Sequence, residues 1–123
     1  EGISLDAKVS SELIQNIFMP RTPLHDGAVI IEKSKILAAK CILPLASEVS
    51  VPTNLGTRHR AAVGITEISD ALVIVVSEET GIISLAEGGN LTRNLTGDML
   101  RELLLEKMDK TKTHVAIKTI VKK

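Results

Sequence analysis

Gly27-Ala28-Val29-Ile30-Ile31-Glu32-Lys33-Ser34-Lys35-Ile36-Leu37-Ala38-Ala39-Lys40-Cys41-Ile42-Leu43 sets the fold class. Ala28 to Ile31 is a short β-branched run, and Ile36 to Leu43 is apolar again after the polar break Glu32-Lys33-Ser34-Lys35. Runs this short, punctuated by polar residues, predict a hairpin of buried strands. Asp26 stands immediately before the hairpin.

Upstream, Val9, Leu13, Ile14, Ile17 and Phe18 recur at helical spacing. Ser10 or Ser11 can cap that helix, and Pro20 lies just past its end. Met19 to Pro23, with two prolines, reads as a loop. Downstream, Pro44 to Leu55 reads as a loop, and a helical pattern starts at Thr57 and runs through Ile65. Ala71 to Val76 is the strongest strand in the chain. Ser77-Glu78-Glu79-Thr80-Gly81 reads as a turn, Ile82 to Ala86 as a strand and Gly88-Gly89-Asn90 as another turn. Thr96 can cap a helix with Met99, Leu100, Leu103, Leu104 and Met108 on one side. The tail from Lys107 holds six lysines but alternates through Val115 and Ile117, which favours a last strand over a nucleic-acid arm. Mixed strands and helices without repeats predict one α/β or α+β domain over residues 1–123.

The 123 residues suit one core, and 44% apolar residues can fill it. That core is aliphatic, because Phe18 is the only aromatic; base-stacking recognition of nucleic acid lacks its platforms. Fifteen basic and fifteen acidic residues cancel, so any anion site is local. The lone Cys41 excludes an internal disulfide and a cysteine-based zinc site, and its apolar setting reads as an inert buried thiol. No signal peptide and no run long enough to span a bilayer is present, which reads as soluble. The chain opens at Glu1 without a methionine and reads as part of something longer.

Four groups of residues can carry chemistry. Gly56-Thr57-Arg58-His59-Arg60 leads into a helix whose free N–H groups and dipole favour an anion. Thr57 adds a hydroxyl, an arginine grips two phosphate oxygens, and Gly56 lets the backbone come close. Arg58 and Arg60 would point about 200° apart, at roughly 3.6 residues per turn, so they are not expected to hold one phosphate together. A solvated, capped helix start is the plainer alternative. Asp26 can accept a proton or hold a metal ion, with Gly27 and Ala28 leaving room for a flat ligand; an ordinary Asp-Gly turn is the alternative. His25 is either a metal ligand or a hydrogen-bonded structural histidine. Ser77, Glu78 and Glu79 follow a strand end, where α/β sheets bind ligands, and otherwise carry solvated turn charges. No P-loop, zinc spacing or Ser-His-Asp order is present.

Asp26-Gly27-Ala28 and Arg58-His59-Arg60 together resemble the two signatures of the diadenylate cyclase domain family, which makes cyclic di-AMP from two ATP molecules. The surroundings match as well: Pro23-Leu24-His25-Asp26-Gly27-Ala28-Val29-Ile30-Ile31, Gly56-Thr57-Arg58-His59-Arg60-Ala61-Ala62 and Val76-Ser77-Glu78-Glu79-Thr80-Gly81. The likeness runs from about Gly2 to Leu104 and is nearest the membrane-bound cyclases of Gram-positive bacteria.

The resemblance implies a single α/β domain with a central mixed sheet surrounded by helices, its N-terminal strand and helix truncated. It implies a nucleotidyltransferase in which two protomers meet face to face, each ribose 3′-hydroxyl attacking the other ATP's α-phosphate as pyrophosphate leaves. By that likeness Asp26, with Mg²⁺ or Mn²⁺, helps activate the hydroxyl. Gly27, Ala28 and Leu43 line the adenine pocket, and Thr57, Arg58, His59 and Ser77 contact phosphates. Gly56 and Arg60 belong to the ATP site, and Glu79 serves the ribose or metal. His25 and Glu78 are further metal candidates. The likeness also implies a homodimer and no nucleic-acid partner. The full-length protein would lie at the cytoplasmic face of the cell membrane, anchored there and tuned by other proteins. The rival reading is a non-catalytic adenine-nucleotide sensor, and a third is a phosphatase or other hydrolase.

Overall fold

The computed structural model describes residues 2–42, 57–77, 80–108 and 114–120. Its elements run β1 (Ile3–Lys8), α1 (Ser11–Ile17), β2 (Ala28–Glu32), β3 (Lys35–Cys41), α2 (Thr57–Glu67), β4 (Leu72–Ser77), β5 (Ile83–Glu87), β6 (Asn90–Leu95), α3 (Gly97–Met108) and β7 (His114–Ile120). All the strands join one sheet in the order β1-β3-β2-β7-β4-β5-β6. Among the described residues, only β4 and β7 pair in parallel; the other pairs are antiparallel, so the sheet is mixed.

Side-chain alternation sorts the sheet into two faces. Leu72 and Ile74 of β4 cluster with Leu85 and Leu95 under Leu100, Leu103 and Leu104 of α3. Val29, Ile36 and Ala39 pack with Ile17, Leu13 and Ile14 of α1, and Ile31 touches both clusters, so α1 and α3 share a face. The opposite face carries α2, with Ala62 and Val63 against Val73, Val75 and Ala86. Helices therefore cover both faces of the mixed sheet, as the family resemblance implies.

Local chemistry sets the helix ends. Ser10 Oγ accepts the Leu13 N–H at 3.1 Å and starts α1. Thr96 Oγ1 does the same for Met99 at 3.1 Å and starts α3. The far end of α3 is tied to β5 by the half-buried Lys107–Glu87 ion pair at 2.6 Å. Both caps lie where the sequence places them.

The hairpin, α2, β4, β5 and the final strand all match the sequence expectation. Two strands were absent from it, β1 and β6. Each is an edge strand with a left-handed residue, Asp6 (φ 54°) in β1 and Asn94 (φ 62°) in β6. Both pairings shift register, which breaks the strict alternation that marks a strand in sequence. Cys41 is half-buried, more open than its apolar setting suggests. Among the described residues, no helix is long and apolar enough to cross a membrane. Leu43, the stretch from Pro44 to Leu55, Gly56, Glu78 and Glu79 lie outside the described residues.

Candidate active site

Register brings the sequence motifs to one end of the sheet. Ala28, the first residue of β2, stands opposite Lys118 of β7, and Lys118 stands opposite Val75 of β4. The start of β2 and the end of β4 thus lie level, about 10 Å apart across two interstrand spacings. Asp26 and Gly27 extend past Ala28 at that end, and Ser77 extends past Val75. Ser77 shares the odd-numbered side of β4 with Val73 and Val75, the face that α2 covers.

The helix runs away from this same end. Ala28 is 0% and Ala61 5% exposed, and they share a buried cluster with Ile30, Cys41 and Ile65. At the other extremity Thr66 Oγ1 donates to the Val63 carbonyl at 2.7 Å and accepts the Gly89 N–H of the β5–β6 turn at 3.0 Å. Thr57 and Arg58, the first two residues of α2, therefore stand at the end occupied by Asp26 and Ser77. The positive pole of the helix dipole and its free N–H groups face that corner.

Asp26 is exposed on a bend and takes part in an interaction. Gly27 has φ 117°, and a Cβ built on it would lie 2.8 Å from the Cα and C of Lys40. Only glycine allows so close an approach of β2 to β3 there. His25 Nδ1 donates to the Thr22 carbonyl at 2.8 Å, while Thr22 Oγ1 donates to the Met19 carbonyl at 2.7 Å. This chain of turns holds the α1–β2 connection and leaves His25 Nε2 for another partner. Ser77 Oγ accepts the Thr80 N–H at 3.3 Å, so part of its capacity closes the β4–β5 turn.

The two arginine-motif residues after Arg58 separate. His59 shares a helical stripe with Ala62, Val63 and Thr66 and turns to the sheet, 7% exposed. Burial, and then the positive charge of Arg93 on β6, lower its pKa below the usual histidine value, favouring a neutral ring. Among the described residues its Nε2 has no hydrogen-bond partner, and neither does Ser84 Oγ, which is buried on β5. His59 is thus brought beneath the helix start rather than into the open corner. Arg60 is half-buried further along α2. Sequence reasoning missed the inward turn of His59 and its neighbour Arg93. The 59-62-63-66 spacing carried the first signal; nothing local carried the second.

The described residues contain no group of three His, Cys, Asp or Glu side chains that could hold a metal ion. Asp26 is an exposed carboxylate that follows the half-buried His25 in the chain. The corner therefore joins an acid, a glycine against backbone and a helix start. Together these can receive a nucleotide and place its phosphates on α2.

A family model described as DAC, DisA bacterial checkpoint controller nucleotide-binding, matches residues 1–91. The chain is 59% identical over 103 residues to the cyclic di-AMP synthase CdaA of Bacillus subtilis, covering 84% of this chain and 38% of that protein. It is 53% identical over 107 residues to a diadenylate cyclase of Listeria monocytogenes, covering 87% of this chain and 39% of that one. The chain thus spans well under half the length of these curated relatives. A crystal structure of a DacA double mutant from Staphylococcus aureus superimposes with a TM-score of 0.81 at 50% identity, covering 85% of this chain and 70% of that one. A crystal structure of a protein named as a hypothetical membrane spanning protein from Bacillus cereus gives a TM-score of 0.74 at 48% identity, covering 77% of this chain and 47% of that one. With residues 1–91 matched and relatives at 59% and 53% identity, the chain belongs to the DAC family of nucleotide-binding domains.

Proposed function

We propose that this chain is the catalytic domain of a diadenylate cyclase, which condenses two ATP molecules into cyclic di-AMP and two pyrophosphates. The observation that carries the reading is the convergence of Asp26, Ser77 and the start of α2 at one end of the sheet. The names of the B. subtilis and L. monocytogenes relatives support it.

In this mechanism ATP lies with its adenine near Gly27 and Ala28, and Leu43 completes that pocket. Its phosphates meet the helix start through Gly56, Thr57 and Arg58, with Ser77 alongside. Arg60 and Glu79 belong to the same ATP site. Asp26 takes the proton of the 3′-hydroxyl as the oxygen attacks the α-phosphorus of the facing ATP. The P–O bond to pyrophosphate breaks in line with the attack. Positioning and charge stabilisation carry most of such a reaction, and a placed base adds about 10²–10⁴-fold. Bound Mg²⁺ or Mn²⁺ would lower the hydroxyl's proton affinity and shield the phosphates, with Asp26 as ligand and His25 and Glu78 as further donors. His59 acts through the helix start that it supports from beneath.

One chain holds one ATP, so both bonds of the product require a homodimer with the two sites face to face. The full-length protein would be anchored in the cell membrane with this domain on the cytoplasmic side, open to protein regulators. Incubation of the protein with ATP and Mn²⁺ tests the reading by chromatography. Cyclic di-AMP and pyrophosphate are expected. Unchanged ATP would mark a nucleotide sensor, and ADP with phosphate a hydrolase.

A further inference from the structure

The corner that aims Asp26 is built on an unusual piece of β3. Ala28 pairs with Cys41, whereas Ile30 pairs with Ala38, so two residues along β2 span three along β3. The bulge contains Lys40, which sits in the left-handed region at φ 58°. The other left-handed strand residues, Asp6 and Asn94, lie on the edge strands β1 and β6, where a bulge discourages edge pairing. Strand β3 is flanked on both sides, by β1 and β2, so edge protection does not explain Lys40. Gly27 lies directly against this bulge, its missing Cβ directed at Lys40 Cα and C (2.8 Å) and Cys41 N (3.0 Å). Bulges beside functional sites re-aim neighbouring side chains, and left-handed non-glycine residues persist where the surroundings hold them.

We propose that Lys40 is a positioning residue whose backbone bulge, pressed on Gly27, sets the direction in which Asp26 leaves the sheet. This rests on the reading of Asp26 as the group that serves the ribose hydroxyl. The role belongs to the backbone, since the Lys40 side chain is exposed. A residue that resists the left-handed region would flatten the bulge and push the corner outward. Misplacement of a reacting group by about 1 Å can cost roughly 100-fold in rate.

The test compares Lys40→Val, β-branched and averse to positive φ, with Lys40→Gly and Lys40→Asn, which accept it. None of the three keeps the ammonium. Lys40→Val is expected to lower kcat by roughly 10- to 100-fold with little change in KM for ATP. Lys40→Gly and Lys40→Asn are expected to restore turnover relative to Lys40→Val. Loss of turnover in Lys40→Gly and Lys40→Asn would overturn the proposal, whether or not Lys40→Val folds, because it would place the role in the ammonium. Amide ¹H–¹⁵N shifts of Asp26, Gly27 and Ala28 give a readout independent of turnover. Shifts that move in Lys40→Val support the bulge even where the cyclase reading of Asp26 fails. Shifts that stay in place would overturn it.

Discussion

Ala28 at the start of β2 packs against Ala61 in α2, within one buried cluster. This contact joins the two sequence signatures, since Asp26-Gly27 precedes Ala28 and Thr57-Arg58 begins the helix that carries Ala61. Two small side chains let the helix start approach the strand end. Ala61→Leu would force them apart, and overpacking of this kind costs about 1–3 kcal/mol. The expected outcome is a lower melting temperature and a raised KM for ATP. An unchanged KM would show that the helix start does not contact the substrate.

Gly27→Ala meets two obstacles at once. Its φ of 117° is one that side chains avoid, and its Cβ would enter the backbone of Lys40. A residue forced into such a region costs about 1–3 kcal/mol. Denaturant unfolding is expected to show a loss of that size, with product formation reduced by more than the stability loss explains.

His59 gives a pH dependence with a definite sign. Burial and the nearby Arg93 charge lower its pKa in the folded protein. The unfolded chain therefore takes up the proton first as pH falls. The contribution is complete above the unfolded value of about 6.5 and is lost as pH falls from there through the lowered folded value. The melting temperature of the wild type, followed downward from neutral pH, is expected to fall relative to that of His59→Gln through that window, because the variant has no imidazole to protonate. Parallel curves would contradict a buried neutral ring.

Much of this arrangement was legible in the sequence, for reasons that are local. The hairpin of β2 and β3 declared itself through β-branched runs, and Thr96 announced α3 through capping chemistry. The family resemblance rested on Asp26-Gly27-Ala28 and Arg58-His59-Arg60 read together. What sequence did not reveal depends on contacts between distant segments. The Lys40 bulge lies against Gly27, which belongs to a distant stretch of chain, and the Arg93 charge acts on His59 only once β6 joins the sheet. The strands β1 and β6 were hidden by their own bulges at Asp6 and Asn94. The inward turn of His59 was readable from its spacing to Ala62, Val63 and Thr66.

Asp26→Asn mixed with wild-type protein tests the two-half-site account most directly. Differently tagged copies first establish, by co-purification, that protomers exchange. ATP and Mn²⁺ are then added, and products are separated by chromatography. In a mixed dimer the wild-type protomer's ATP attacks its neighbour, and the second attack stalls for want of Asp26. Linear pppApA is therefore expected to accumulate, most strongly at equal mixing. Cyclic product alone, in proportion to the wild-type pairs that remain, would contradict the role given to Asp26.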